Sequence, residues 1–550
     1  MKQTQHGRFW PLLILLLLPM LACGLFDSIG PQIPRNAAVV NVVANTSLQP
    51  WLETAVPAFN DSKAKNSDGD PVYVVVEYVE AGQAVTNMAS GADTALWLPE
   101  EPVWANVLAD QGNATFQGDC VSVAQSPLVI GLWRDVADAL GYPGLPLGWL
   151  DVGSLAADPS AWNYYSGGEL GDAFRLGHTH PGLSGSGVST LLAIVQAAQG
   201  KSDAVTTAEI QRPIVQASVG AFEGGVATFA TSTAALAQTM RDRGVTYLTA
   251  GIMYESTAVY YGQGNIIPVY PLEGTFMATH PACLNQAANG VIQESARLFR
   301  DYLLSVAGQE TAVSVGLRPV NDAVTITAPL SAENGVALSQ PQTIFNAPSV
   351  ETIYSVQELW QAARKDVNLV MLLDTSGSMR GGKMESMRAA AMQFVQQMGD
   401  EDTISIIAFE TEPVLLVEYT QVGPARAEII ATIDRLRAAG DTTLYDAIGD
   451  GAALIAATHS INMTNAMVIL TDGQDTRSYR YRFDDALIKA ATAHDTTVFT
   501  IAYGSDADER VLAALAARGN GNFYQGDEAS IAAIYEEMSA AFGGSVGVGR

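Results

Sequence analysis

Three short segments carry the residue types best suited to chemistry. Asp374-Thr375-Ser376-Gly377-Ser378 is a D-x-S-x-S loop, Gly440-Asp441-Thr442-Thr443-Leu444-Tyr445 brings a pair of threonine hydroxyls, and Asp472-Gly473 brings a second carboxylate. Two carboxylates, two serine hydroxyls and a threonine hydroxyl are all hard oxygen donors. A small hard cation such as Mg²⁺ takes about six oxygens in octahedral array and commonly keeps waters in its shell. With only two acids among its ligands the ion retains positive charge. An acidic side chain from a partner can then complete the shell, which is a physical route to cation-dependent adhesion.

The elements around these segments place them together. Residues 369–373 form an almost wholly apolar strand suited to the middle of a parallel sheet, and they run directly into Asp374. The helix that follows repeats Met384, Met387, Ala391, Phe394, Val395 and Met398 at helical spacing, a stripe that packs on the sheet. A second strand, 466–471, ends the same way at Asp472. In open α/β sheets ligands bind outside the carboxyl ends of strands, where all three segments lie. Strands at 403–409, 414–419 and 497–503 and a last helix at 531–542 complete this unit. Asp475, Asp506, Asp508 and Asp527 read as solvated turn residues.

Upstream, strand-like runs at 39–43, 72–76 and 128–132 alternate with helix-like stretches at 48–59, 188–198 and 293–304, which again predicts α/β architecture. Pro319, Pro329, Pro341 and Pro348 mark a connection between two domains, and a short helix at 355–364 leads into the second. Asn45-Thr46-Ser47 and Ser184-Gly185-Ser186-Gly187 each precede a helix. Free N–H groups and the positive helix end favour an anion or a carbonyl at such places, although the same residues also serve as ordinary N-caps. Trp97, Trp104, Trp133, Trp149 and Trp162 are expected in the core. His178, His180 and His280, in Pro- and Gly-rich loops, are expected in surface or capping roles.

The chain has 57 Asp plus Glu against 29 Lys plus Arg, a net charge of -28, which repels nucleic acid and anionic membrane surfaces. Lys2 and Arg8 followed by the apolar run 12–18 form an export signal, far short of the roughly 20 residues that span a bilayer. The signal ends in Met20-Leu21-Ala22-Cys23, which resembles the lipobox of bacterial lipoproteins. That resemblance implies lipidation of Cys23 and an extracytoplasmic protein anchored to the cell membrane. Cys120 and Cys283 then meet an oxidising compartment, where a disulfide between them is expected, two buried free thiols being the alternative. No Ser, Cys or Lys stands in a recognisable nucleophile setting, so an enzyme is not expected.

The segments VMLLDTSGSM, GDTTLYDAI and VILTDGQDT resemble the metal-ion-dependent adhesion site of von Willebrand factor A (VWA) domains. Carried over position by position, the resemblance implies Asp374, Ser376, Ser378, Thr442 and Asp472 as ligands of Mg²⁺, Mn²⁺ or Ca²⁺, with Thr443 adjacent to the second-loop place. Residues 38–330 resemble two-lobed extracellular solute-binding proteins related to sulfate and molybdate binders, through VVNVVANTSLQPWLETAVPAFN, SPLVIGLWRDVADALGY, GHTHPGLSGSGVSTLLAIV and YPLEGTFMATHP. This implies a cleft for a small solute or anion lined by Thr46, Ser47, Ser126, Ser184 and Ser186. The implied layout is a signal peptide at 1–22, a tether at 23–37, a type II periplasmic-binding-like domain at 38–330, a linker at 331–365 and a doubly wound, Rossmann-like VWA domain at 366–543. The implied function is adhesion to a protein partner; the alternative is the substrate-binding component of an ABC-type transport system with an accessory VWA domain.

Overall fold

The strand Ala38–Ala44 buries alternate side chains and pairs in parallel with Val72–Tyr78 on one side and Leu96–Leu98 on the other. Pro281–Leu284 and Cys120–Ser122 extend this sheet antiparallel, giving five strands. The computed structural model describes residues 33–548, so the export signal, Cys23 and the start of the tether lie outside the described residues. Helices Gln49–Asp61 and Gly290–Leu304 cover the sheet, with the Phe59 and Phe299 rings edge to face at 5.1 Å. Cys120 and Cys283 are level on adjacent strands and are disulfide-bonded across 163 positions. Closing so long a loop restricts the unfolded chain and stabilises the fold by about 2 to 5 kcal/mol.

The chain leaves this lobe at residues 123–125 and enters a second sheet through Ser126–Trp133, which is buried along nearly its whole length. Ala250–Tyr254, Leu176–Thr179, Val226–Ala230, Ile266–Val269 and Met277–Ala278 complete it. The chain recrosses at 279–280, and a third time where Arg318 pairs with Gln125. The lobes touch closely: Gly82 N donates to Leu183 O at 2.8 Å, and any Cβ on Gly82 would run into Gly182 O. Only glycine permits this approach.

The proline-bearing connection lies on the second lobe. Arg318 forks onto the buried Glu255 at 2.7 and 2.5 Å, Phe345 N donates to Thr275 O at 2.8 Å, and Val324, Leu330, Val336 and Phe345 are buried. Prolines suit such a segment because they lack an N–H that an irregular buried path would leave unpaired. The helix that follows, Val350–Ala363, starts earlier than the expected 355–364, because Ser349 caps it by accepting from Thr352 N.

The C-terminal sheet has six strands in the order Pro413–Gln421, Thr403–Phe409, Asp366–Asp374, Met463–Thr471, Thr497–Tyr503, Asn520–Gly526, all parallel except the first. The two central strands are apolar and buried, as strands covered on both faces must be. The predicted Met-bearing stripe belongs to helix Gly382–Gln397, and Met384, Met387, Phe394 and Val395 are in the core. Beyond the last helix, Ile531–Ala541, the tail returns to the second lobe of the first domain. There Val548 N donates to Gly182 O at 2.7 Å and His180 Nε2 donates to Gly544 O at 2.8 Å.

That seam corrects the expectation for the histidines. His178, His180 and His280 are all buried, and His178 Nε2 lies 3.1 Å from Glu223 Oε1, whose other oxygen accepts from Trp360 Nε1 at 3.1 Å. Burial holds the His180 and His280 imidazoles down to about 3, so they are neutral packing groups. The ring of His180 stands edge-on to Trp360 at 4.7 Å. A surface role fails because the Pro-Gly loop after His180 is roofed by the tail.

Arg364 enters the C-terminal domain as one half of a buried ion pair, 3.1 Å from each oxygen of Asp402, whose carboxylate also accepts from Val367 N and Gly399 N. Replacing Arg364 with Ala leaves Asp402 as an uncompensated buried charge. The expected cost is about 3 to 5 kcal/mol, read as a lower urea midpoint for loss of C-terminal-domain structure.

Candidate metal centre and interlobe cleft

Strand register builds the candidate metal centre. Leu373 is level with Leu470, which sets Asp374 beside Thr471 at the carboxyl ends of the two central strands. Both Asp374 and Asp472 are fully buried. Asp374 Oδ1 accepts from Ser376 N at 2.8 Å and Oδ2 from Thr471 Oγ1 at 2.6 Å. Ser376 Oγ and Ser378 Oγ are 3.0 Å apart, and Ser378 Oγ donates to Asp472 Oδ1 at 2.6 Å. Four of the five expected ligands thus form one continuous hydrogen-bonded set.

The second loop brings the fifth. Gly440, at φ 74°, lets the loop fold down so that its carbonyl accepts from Gly377 N at 3.1 Å. Thr443 Oγ1 is committed to Glu410 O at 2.9 Å, whereas Thr442 Oγ1 is the atom a Cβ on Gly473 would meet at 3.7 Å. Of the two threonines, Thr442 is therefore the one whose hydroxyl faces the third loop. Asp441 turns away to pair with Arg477 at 2.9 Å. Asp475 accepts from Tyr445 N and Ser478 N, and Asp508 and Asp527 accept from nearby backbone N–H groups, so these acids organise turns.

Burial raises the Asp374 carboxyl above its ordinary range, hydrogen bonds from Thr471 and Ser376 offset part of that rise, and the neighbouring Asp472 adds to it. A divalent cation would relieve both burial and repulsion, so the donor set fits such an ion. Sequence reasoning missed Lys383, whose Nζ lies 2.6 Å from Asp472 Oδ2. Its position in the first turn of the helix after the D-x-S-x-S loop was the available signal. Thr471, the last strand residue, was missed because a threonine inside a strand signals only β structure.

The cleft residues also come together, though on each other. Thr46 Oγ1 donates to Glu80 Oε1, and Asn45 Oδ1 accepts from Ser47 N at 2.9 Å. Ser184, Ser186 and Thr179 form a chain of hydroxyls at 2.9 and 2.7 Å. Ser126 Oγ stands apart from these, donating to Ser256 Oγ at 3.1 Å and accepting from Ser256 N at 3.0 Å. The start of helix Gly185–Gln199 is taken by a carboxylate of the other lobe: Gly185 N donates to Glu100 Oε1 at 3.0 Å. Of the five tryptophans, Trp97, Trp104, Trp149 and Trp162 are buried core, and Trp133 is partly buried, donating to Leu248 O at 2.9 Å.

Two domains on one chain, a solute-binding-like domain followed by a VWA domain, define its class. Residues 40–318 match the bacterial extracellular solute-binding protein family and residues 368–537 match the von Willebrand factor type A domain. The chain belongs to the bacterial extracellular solute-binding protein family and carries a C-terminal VWA domain. An uncharacterized protein of Synechocystis sp. is 30% identical over 162 residues, 29% of this chain and 37% of that protein. The chain spans less than half the length of the curated relatives it matches. Among solved structures, the sulfate-binding protein SubI of Mycobacterium tuberculosis is 18% identical, covering 57% of this chain and 95% of that one at a TM-score of 0.41. A von Willebrand factor type A protein from Catenulispora acidiphila is 20% identical, covering 32% and 42% at 0.30.

Lys383 holds the oxygen of Asp472 that a cation would otherwise draw on, so the ammonium and the metal compete. Lys383→Met is expected to tighten Mg²⁺ binding by about fivefold, the size of a partly exposed ion pair near 1 kcal/mol. Calorimetric titration of both proteins checks this, and weaker binding would show instead that Lys383 orients Asp472.

Proposed function

We propose that the protein is an extracytoplasmic binding protein, anchored to the membrane through Cys23, that grips an acidic side chain of a protein partner through a divalent cation. Asp374, Ser376, Ser378, Thr442 and Asp472 hold the ion, Mg²⁺ in the first instance. The observation that carries this reading is the converging donor set: two buried carboxylates and three hydroxyls at one sheet edge. An ion held by so few acids stays electrophilic toward a partner's carboxylate. The chain's own residues position the ion and exclude water from its buried side; no residue is assigned a catalytic role. No helix among the described residues is long and apolar enough to cross a membrane.

The first domain serves as a second recognition surface, and the extra VWA domain favours adhesion over delivery of solute to a permease. The VWA tail lies under the seam with the first domain, so the full chain is the right material for testing. Mg²⁺ or Mn²⁺ titrated into the chelator-treated full chain is expected to bind near one ion per chain, and Asp374→Ala to abolish that binding. An unchanged isotherm in the variant would sink the reading. In cells, palmitate labelling of the protein is expected and should disappear in Cys23→Ala.

A further inference from the structure

We propose that the interlobe cleft is built to take a small organic cation bearing an ammonium group, not an anion. Three carboxylates of the first lobe stand near one another there, at the ends of its parallel strands: Glu80 after Val72–Tyr78, and Glu100 and Glu101 after Leu96–Leu98. All three are buried, Glu100 completely. Among the described residues none of them is in a salt bridge, unlike the buried Glu255 and Asp402, which each hold an arginine.

Their partners are neutral. Glu80 is served by Thr46, Ser184 and Asn45, Glu101 by Ser189 Oγ at 3.3 Å, and Glu100 by Gly185 N at its Oε1. Glu100 Oε2 is buried with no hydrogen-bond partner. A buried, unpaired carboxylate oxygen costs free energy that a cationic N–H donor would recover. Tyr254 feels the same three carboxylates: after burial, Glu100, Glu101 and Glu80 drive its ionisation well up. It faces them as a neutral wall suited to packing on an ammonium.

Electrostatics agrees with the geometry. Burial first, and then Glu80, pushes the Glu100 carboxyl well up; burial pushes Glu101 to about 7 and raises Glu80. The other titratable side chains nearby are Tyr254 and His280, whose rings are 5.8 Å apart, and burial keeps His280 neutral. An anion entering this site would meet acids and no cation. An ammonium, with several N–H donors and no demand for a fixed shell, suits three carboxylates that do not share one point.

The proposal concerns the first domain alone and goes beyond the metal-dependent adhesion reading, so either can fail without the other. Acids with raised pKa hold their protons in the native state, so native stability falls as pH climbs from the ordinary carboxylate range toward about 7. Glu100→Gln keeps an acceptor for Gly185 N while removing the charge. In the ligand-free full chain it is expected to raise the melting temperature at pH 8 and to change it little at pH 5. A lower melting temperature at pH 8 would mean that Glu100 is a helix cap and overturn the proposal.

Calorimetry of the full chain with putrescine, spermidine, ethanolamine, choline, sulfate, molybdate and phosphate at pH 8 is the second arm. At least one amine is expected to bind saturably at one per chain, at least tenfold more weakly in Glu100→Gln and more weakly at pH 6. Binding of an anion that Glu100→Gln does not weaken, or silence from every amine, overturns it as well.

Discussion

Placing carboxylates inside a protein is the constraint on which this structure turns. A buried charge must find a partner or give up its ionisation, and this acidic chain buries many. Asp402 and Glu255 meet arginines. Asp446 lies at the start of a helix and accepts from three successive backbone N–H groups, those of Tyr479, Arg480 and Tyr481. Each of these solutions is complete, and each fixes a local path of the chain: the domain entry, the docked connection, the loop after the third metal-site segment. At the metal centre the solution is only partial, because Asp374 and Asp472 are met by hydroxyls, one backbone N–H and one lysine. In the interlobe cleft it is weaker still. The gradient from full to partial compensation separates acids that build the fold from acids that await something.

The same reasoning explains why both sites sit where they do. Parallel strands end together at one edge, and the side chain just past each end is free of the ladder while its neighbours remain buried. Asp374, the last residue of its strand, and Asp472, the first after its own, stand at that edge of the C-terminal sheet, and Asn45, Glu80 and Glu100, just past their strands, stand at it on the first lobe. The two edges belong to different sheets, and one loop links that of the first lobe to the C-terminal tail. Residues 180–184 contact the first lobe through Gly82 and the C-terminal tail through Val548, and they lead into the helix whose first N–H meets Glu100. Separating the lobes breaks the Gly82 bond, whereas the bonds to the tail lie within the second lobe and its partner domain and travel with it.

Much of the architecture was legible in the sequence because it rests on local periodicity. The run 369–373 could only be a buried strand, and the stripe from Met384 to Met398 could only be a helix face, so the site-bearing edge followed from them. The D-x-S-x-S spacing was readable for the same reason, since the loop's residues are contiguous. What escaped was whatever depends on packing between distant segments. His180 looked exposed because its neighbours are Pro and Gly, and nothing nearby in sequence announces the tail that roofs it more than 360 residues later. The connection carrying Pro319 to Pro348 read as a junction between domains, and its docking escaped because its burial comes from Phe276 and Glu255, far upstream.

The cleft is the most instructive case, because local and long-range signals there point in opposite directions. Hydroxyls before a helix form a correct motif for an anion when the helix start is free. Here Glu100, from the opposite lobe, already supplies an acceptor to Gly185 N. An intramolecular carboxylate in the anion's place changes what the site needs, because the remaining oxygen, and the two neighbouring acids, now ask for positive charge. Charge inversion of this kind is invisible to any reading of the helix start alone, since Glu100 is 85 residues away from Gly185. The fold thus sets where a ligand goes, and the handful of residues that cross between lobes sets its sign.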